Sequence, residues 1–137
     1  MPLPTRKPAV KKPETVQSSG VFMGTAQSGP ARPKRAHALA EELLARGCLY
    51  IQKQVWEEAS REFNKAIKME PEYAEAYNNL GLCQIYAGNL EDAVDALNQA
   101  LQIFPGWPIA EANLGLAFQR LGQNEDAAAC YDRAVLK

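Results

Sequence analysis

The chain has 137 residues, and its 15 basic and 16 acidic residues give a formal net charge of −1, so the length allows one modest domain. The three cysteines show no CxxC spacing and the single histidine has no histidine cluster around it, which disfavours a metal site and a disulfide framework. No apolar stretch has the length of a signal peptide core or a membrane span, so a soluble cytoplasmic protein is expected.

Residues 1–36 differ in composition from the rest of the chain. They contain six of the nine prolines, runs rich in Ser and Gly, and seven basic residues against one acidic residue, a formal charge of +6. Such a segment buries little apolar surface, which predicts a flexible basic arm. Its one apolar cluster, at residues 21–23, fits either a small docking element or a chance grouping. The remainder, with 8 basic and 15 acidic residues, forms an acidic body.

Helical periodicity begins near residue 37. Apolar residues recur three and four positions apart, which predicts helices over 37–52, 56–69, 73–87, 90–103, 108–121 and 124–136. Gly88 and Gly122 follow the third and fifth helices, where a left-handed residue commonly ends a helix. Pro71 and Pro105 end the second and fourth helices. Gln54 stands where the other two units have glycine, so its turn is expected to be strained or differently shaped.

The helical pair recurs every 34 residues from about Ala40 onward. Glycine recurs at one position of this period and alanine at another, and these residues are Gly47, Gly81, Gly115, Ala59, Ala93 and Ala127. Small residues are expected where the two helices of a unit cross closely. A large residue follows in each unit, and Phe63, Leu97 and Tyr131 are expected to fill the gap between neighbouring units. Self-similarity over nearly three periods predicts stacked helical hairpins.

The spacing of glycine, alanine, the large residue and proline in these units resembles that of tetratricopeptide repeats (TPRs). The resemblance covers about residues 37–137, in units of about 40–73, 74–107 and 108–137. It implies an all-α, right-handed superhelical stack of three helix-turn-helix hairpins, preceded by the disordered arm. It also implies protein–protein interaction as a general mode of action, without naming a partner. Glu111 replaces the bulky Leu43 and Tyr77 of the other units, so the third unit's first helix is expected to dock less tightly.

In stacks of this family the first helix of each hairpin lines the concave side. The second, fifth, sixth, ninth and twelfth positions of each unit then form a groove at helical spacing. We predict that a protein or peptide segment binds there, on Glu41, Leu44, Ala45, Cys48, Ile51, Glu75, Asn78, Asn79, Leu82, Ile85, Ile109, Ala112, Asn113, Leu116 and Gln119. The alternative is that the apolar members of this set pack between adjacent first helices.

Asn79 and Asn113 occupy the same groove position one repeat apart. A side-chain amide donates and accepts hydrogen bonds, so it can hold a peptide backbone without reading its sequence. Because neighbouring helices pack about 8–10 Å apart and an extended chain rises about 3.3 Å per residue, the two amides would engage sites about three residues apart. This resembles a ladder in some TPR domains, although asparagine is also common at this position. Glu41 and Glu75 favour a partner that carries basic residues.

Other TPR domains hold the terminal carboxylate of heat-shock chaperones in a clamp of lysines, arginine and asparagines. The resemblance places Leu44 and Cys48 at the clamp's first-unit Lys and Asn positions. It places Ile109 and Asn113 at the third-unit Lys and Arg positions, so Asn79 alone matches. A co-chaperone role of that kind is therefore disfavoured.

The sequence contains no constellation typical of catalysis. His37 is the only histidine, and a solvated or capping role is expected for it at the start of the first helix. Acidic pairs recur at the start of each second helix, where a carboxylate favours the helix dipole, so they have a structural explanation. No glycine-rich phosphate loop is present. An enzyme is not expected, and neither is a cofactor or a metal.

The basic arm supports a competing class of function, binding to nucleic acid or to an anionic surface. Seven cations could hold a phosphate backbone, but Phe22 is the arm's one aromatic residue and the acidic body would repel the same polymer. An arm that folds onto its own or a neighbour's acidic repeat surface is favoured instead.

The last predicted helix has no following repeat to cover it in this sequence, so we expect this end to pair with another copy or to be capped by the arm. The sequence therefore predicts an interaction scaffold or adaptor with a peptide groove and a tendency to form homo-oligomers. The alternative is a secretion-type chaperone that holds an unfolded client. The proline-rich arm argues mildly against the N-terminal helix through which such chaperones dimerise.

Overall fold

The computed structural model describes residues 34–136, and every regular element in this range is an α-helix. The helices are α1 Lys34–Gln52, α2 Trp56–Met69, α3 Ala74–Ala87, α4 Leu90–Ile103, α5 Pro108–Arg120 and α6 Asn124–Leu136. The predicted helices are confirmed to within one residue at nearly every end. The exception is α1, which begins three residues early because Lys34, Arg35 and Ala36 all favour helix. The predicted flexible arm otherwise lies outside the described residues.

The helices form three hairpins that stack in chain order. Each helix packs against the next one along the chain, and the first helix of each hairpin also contacts the first helix of the following hairpin. The all-α stack predicted from the period is therefore confirmed. It places α1, α3 and α5 side by side, so that one face is built from first helices alone.

The turn inside each hairpin has the same shape in all three units. The amides of Val55, Asn89 and Gln123 each donate to a carbonyl five residues earlier, at 2.8–2.9 Å. This bond requires a left-handed residue just before it. Gly88 and Gly122 supply one with φ of 91° and 84°, but Gln54 adopts φ of 62° with a full side chain. The predicted strain is present, and the turn is not differently shaped.

The recurrent glycines make room for the large residue of their own hairpin. A Cβ on Gly47 would lie 2.5 Å from the Phe63 ring, and one on Gly81 would lie 2.6 Å from Cγ of Leu97. Gly115 faces Tyr131 in the same way, at 2.8 Å. The expectation that these large residues fill the gap between units did not include a second contact within each hairpin. They pack first against the glycine across their own hairpin, and this contact explains why the glycines and the large residues recur together.

The third hairpin accommodates Glu111 through a polar contact. Its side chain is buried, and its Oε1 accepts a hydrogen bond from Nε of Arg133 at 3.0 Å. A buried carboxylate needs such a donor, and the charged partner makes the bond stronger than a neutral one. The acidic residue at this position therefore joins α5 to α6.

Candidate peptide-binding face

The predicted groove residues lie on α1, α3 and α5, and together they define the first-helix face. They fall into two classes by exposure. Those with exposed or half-exposed side chains are Glu41, Ala45, Cys48, Ile109, Ala112, Leu116 and Gln119. Those with buried side chains are Leu44, Ile51, Glu75, Asn78, Asn79, Leu82, Ile85 and Asn113.

Most of the apolar residues of the first-helix face belong to the core. Leu44, Ile51 and Leu82 lie in one hydrophobic cluster with Phe63, and Ile85 lies in another. These four side chains are therefore buried in the stack, where Leu44, Ile51 and Leu82 share a cluster with Phe63 of α2, a second helix, as well as with first-helix residues. A partner would reach them only if the side chains that cover them moved. Leu116 is half-buried and keeps apolar surface on this face.

A chain of polar contacts crosses the three first helices. Nδ2 of Asn113 on α5 donates to Oδ1 of Asn78 on α3 at 2.9 Å. Nδ2 of Asn78 donates to Oδ1 of Asn79 at 3.2 Å, and Nδ2 of Asn79 donates to Sγ of Cys48 on α1 at 3.5 Å. We call these four residues the amide row. The repeat period aligns Asn79 with Asn113 and predicts no part for Asn78 in the ladder, although Asn78 connects the two.

The three cysteines are free thiols with raised pKa values, and Cys83 and Cys130 are buried while Cys48 is partly buried. Desolvation by burial raises the pKa of Cys48 from 9.0 to about 12, so its sulfur is a neutral thiol that accepts the bond from Asn79. Burial also raises the pKa of Cys83 and of Cys130. Cys83 donates its S–H to the Trp56 carbonyl at 3.0 Å. Within residues 34–136 no group of three or more His, Cys, Asp and Glu side chains could hold a metal ion.

One end of the first-helix face is acidic. His37 on α1 lies between two carboxylates, with Nε2 3.0 Å from Oε2 of Glu41 and Nδ1 3.6 Å from Oε1 of Glu70. Its ring also meets the Tyr73 ring edge-on, with centroids 5.9 Å apart. The expected solvated or capping role of His37 did not include these contacts, which form because the fold brings the turn between α2 and α3 against the start of α1. No local signal around residue 70 could have shown this.

We call Glu41, Glu70, Glu72 and Glu75 the acidic edge of the first-helix face. Glu70, Glu72 and Glu75 flank Tyr73 in the sequence, and Glu41 reaches the same place through His37. Glu72 is exposed and Glu41 is half-exposed, while Glu70 and Glu75 are buried. His37 thus brings Glu41 and Glu70 together, and Glu72 and Glu75 lie within five residues of Glu70 in the sequence.

Comparison with known proteins gives the same architecture. One tetratricopeptide repeat family model matches residues 44–108 and a second matches residues 112–136. The chain belongs to the tetratricopeptide repeat family. The family's modules are generally non-catalytic and serve as protein-interaction scaffolds. A comparison with curated proteins gives no match.

Several solved structures are similar to this chain. The crystal structure of MamA matches with a TM-score of 0.66 and 27% identity, covering 70% of this chain and 56% of the MamA chain. The chain therefore spans little more than half of that relative. The second TPR of Spaghetti (RPAP3), bound to the HSP90 peptide SRMEEVD, has a TM-score of 0.71 at 19% identity, with 76% and 98% covered. The Arabidopsis OM64 TPR domain has a TM-score of 0.70 at 21% identity, with 72% and 82% covered.

The last two similarities show a shared fold. None of the helices described for this TPR chain is long and apolar enough to cross a membrane.

Proposed function

We propose that this TPR domain is an interaction module that binds an extended segment of a partner protein along the first-helix face. The amide row is the observation that carries the proposal. It crosses all three hairpins, and amide groups suit recognition of a peptide backbone. Buried polar groups on the first helices of three successive hairpins would also destabilise a domain that served only as a scaffold, since apolar residues would pack there without needing hydrogen bonds.

The first contact with a partner would be made by the exposed members of the face. Ala45 and Ala112 are small, so they leave room for a peptide backbone, and Leu116 offers apolar surface one helical turn from Ala112. Because the amides of the row are buried, the partner has to displace the side chains that cover them. The proposed order is therefore docking on the exposed residues followed by engagement of the amide row.

The acidic edge selects the partner's charge. A segment with basic residues gains attraction there, while an acidic segment is repelled. The HSP90 peptide SRMEEVD bound to the second TPR of Spaghetti is acidic. This chain has Leu44, Cys48 and Ile109 at three of the clamp positions, so we expect no binding of that peptide.

The experiment selects binders from a displayed library of random short peptides against the full chain and measures their affinity by calorimetry. Replacing Asn79 and Asn113 with alanine should weaken selected peptides at least about tenfold, because a lost hydrogen bond to a buried amide is worth about 1.4 kcal/mol or more. The matched control replaces Asn64 and Asn98, which are also one repeat apart but exposed on α2 and α4. Equal affinity of the two double variants would contradict the proposal.

A second variant separates binding from folding. Ala112→Arg adds bulk at a half-exposed position of the face, and Ala128→Arg adds the same bulk at an exposed position of α6. We expect Ala112→Arg to abolish peptide binding while the circular dichroism spectrum and melting temperature stay close to those of Ala128→Arg. Peptides that bind both variants alike would place the site elsewhere.

Self-association through α6, a chaperone role and a cytoplasmic location stay predictions. Val135 supports the first of these, since its side chain is 81% exposed on α6. Sedimentation of Val135→Asp and of the unchanged chain over a range of concentrations tests it. The same molecular mass for both at every concentration would exclude an interface at this residue.

A further inference from the structure

We propose that two copies of this chain pair through α1, with the two α1 helices antiparallel to one another. The contact surface is a stripe of four exposed side chains, which we call the α1 seam: Leu39, Glu42, Arg46 and Leu49. None of these residues belongs to the first-helix face. Pairing of two copies and binding of a peptide are therefore independent proposals, and either can fail without the other.

The equivalent positions of the other two hairpins are packing positions. Moving forward by one and by two periods of 34 residues from the α1 seam gives eight residues, all buried: Tyr73, Ala76, Leu80, Cys83, Trp107, Ala110, Leu114 and Ala117. In the second hairpin, Tyr73 and Cys83 share a hydrophobic cluster with Phe63 of the hairpin before it. No described helix precedes α1, and Leu39 and Leu49 are 43% and 56% exposed. Large apolar side chains exposed at such positions indicate a surface that a partner covers.

The spacing of the α1 seam suits a pair of helices. Its members follow one another at intervals of three, four and three residues, like the a and d positions of a coiled coil. Leu39 and Leu49 lie at the two ends of the seam, about 15 Å apart along the helix axis. Glu42 and Arg46 lie between them. A second helix can therefore pack along the whole seam at the usual separation of about 8–10 Å.

The order of the four side chains makes the α1 seam complementary to itself. In an antiparallel pair centred on residue 44, Leu39 of each copy meets Leu49 of the other. Glu42 of each copy then meets Arg46 of the other, so the contact is the same in both directions, as a two-fold axis requires. A parallel pair would place Glu42 against Glu42 and Arg46 against Arg46. The charges thus set the direction and the register of the pair.

Arg46 can bind a second carboxylate while it keeps its contact within the chain. Its Nη1 lies 3.5 Å from Oε1 of Glu62, and its side chain is 49% exposed. A guanidinium carries five N–H donors, so Glu42 of a second copy can bind there while Glu62 stays in place. The contact with Glu62 also restricts the Arg46 side chain, which lowers the conformational entropy lost on pairing.

The same charges disfavour a contact between α1 and the opposite end of another stack. The residues of α6 equivalent to those with which α2 meets α3 are Ala128, Tyr131 and Val135, and none of them is charged. A head-to-tail contact would bury Glu42 and Arg46 against these side chains without partners, which is costly. A second copy that binds through its own α1 provides a partner for both charges.

Complementary charge reversals test the pairing. Glu42→Arg places an arginine opposite Arg46 at two points of the pair, and Arg46→Glu places a glutamate opposite Glu42 at two points. Each variant should dimerise about tenfold more weakly than the unchanged chain, because two attractive contacts become repulsive. An equimolar mixture of the two variants should pair again, since every charge then meets its opposite. Sedimentation of the full chains over a range of concentrations measures association.

Two matched controls change exposed charges elsewhere. Glu91→Arg on α4 and Lys68→Glu on α2 should leave dimerisation of the unchanged chain as it is, both alone and mixed. Recovery in the mixture of seam variants cannot come from an effect of either substitution on folding. An unchanged chain that stays monomeric at every concentration would overturn the proposal. A mixture of seam variants that associates no more than its components would overturn it as well.

Disulfide formation tests the direction of the helices. Leu39→Cys and ¹⁵N-labelled Leu49→Cys chains are mixed and oxidised, and mass spectrometry identifies the linked residues apart from the native thiols. We expect a disulfide between positions 39 and 49 of different chains. Each variant alone should link poorly to itself, because an antiparallel pair holds identical residues of this kind about 15 Å apart. Efficient linkage between two copies of position 39 would indicate a parallel pair and overturn the proposal.

An aspartate at either end of the stack decides which surface is used. Leu49→Asp should weaken dimerisation, and Val135→Asp should leave the α1 pair intact. The opposite result, in which Val135→Asp alone abolishes association, would place the interface on α6 and overturn the proposal.

Discussion

Helices α3 and α4 form one hairpin and have 14 residues each, yet they bury different kinds of side chain. Helix α4 buries four small or apolar residues, Ala93, Ala96, Leu97 and Ala100. Helix α3 buries ten residues, and three of these are Glu75, Asn78 and Asn79. One helix thus follows the usual amphipathic pattern, while its neighbour carries polar groups into the interior. The difference indicates that α4 serves the stack and that α3 serves both the stack and the proposed binding face.

The largest expected effect is on α4, the helix that serves the stack. Leu97→Ala should lower the free energy of unfolding by about 2–5 kcal/mol, because it empties a fully buried site on α4. Urea unfolding followed by circular dichroism measures the loss. Asn98→Ala changes the next, exposed residue and should stay within about 0.5 kcal/mol of the unchanged protein. Similar losses for both variants would mean that α4 is not anchored through Leu97.

The contact between α3 and α4 can be tested at Gly81. Gly81→Ala should destabilise the protein by about 1–3 kcal/mol, because its Cβ would lie 2.6 Å from Cγ of Leu97. In the Leu97→Ala background the same substitution should have a much smaller effect, which a double-mutant cycle in urea measures. Gly88→Ala is the control, since it meets no atom within 4 Å and is unfavourable only through its φ of 91°. Strict additivity at Gly81 and Leu97 would refute the clash.

The buried polar residues of α3 can be tested at Asn78, which links Asn113 of α5 to Asn79. Asn78→Ala should lower the free energy of unfolding by about 1–3 kcal/mol, because its buried hydrogen-bond partners lose their contacts. Asn64→Ala, at an exposed position of α2, provides the control. Thermal unfolding of both variants measures the difference. A melting temperature for Asn78→Ala as high as that of the control would show that the amide row contributes nothing to the stack.

The smallest expected effect distinguishes the first turn from the other two. Gln54→Gly should stabilise the protein by about 1 kcal/mol, since it removes a side chain from a left-handed position with φ of 62°. Gly122→Ala, at the equivalent position of the third hairpin, should destabilise it by a similar amount. Urea unfolding of the two variants tests the opposite signs. A loss of stability in Gln54→Gly would mean that the glutamine side chain makes a contact worth more than the strain.

The fold could be predicted from the sequence because its signals are local and repeated. Gly88, Gly122, Pro71 and Pro105 mark helix ends through backbone constraints that act within a few residues. The start of α1 was placed three residues late, since the charged residues 34 and 35 resemble the arm in composition although they favour helix. The face of the first helices was also predicted, but the division between core and exposed residues on it was not.

The candidate site depended on contacts between distant parts of the chain. The period aligned Asn79 with Asn113, whereas the hydrogen bond from Asn113 goes to Asn78. The rotation of α5 against α3 decides whether Asn113 contacts Asn78 or Asn79. The contact of His37 with Glu70 depends in the same way on how the turn after α2 meets α1.

The sequence alone determined the number of hairpins, the helix ends and the position of the strained turn, because steric rules for glycine, proline and helical spacing act within a few residues. The tertiary structure decided which side chains of α1, α3 and α5 became core, which joined the amide row and which formed the acidic edge. These outcomes depend on how the helices are rotated and how far apart they lie. A shift of about an ångström in a helix changes which side chains meet, and the repeat pattern does not specify positions that finely.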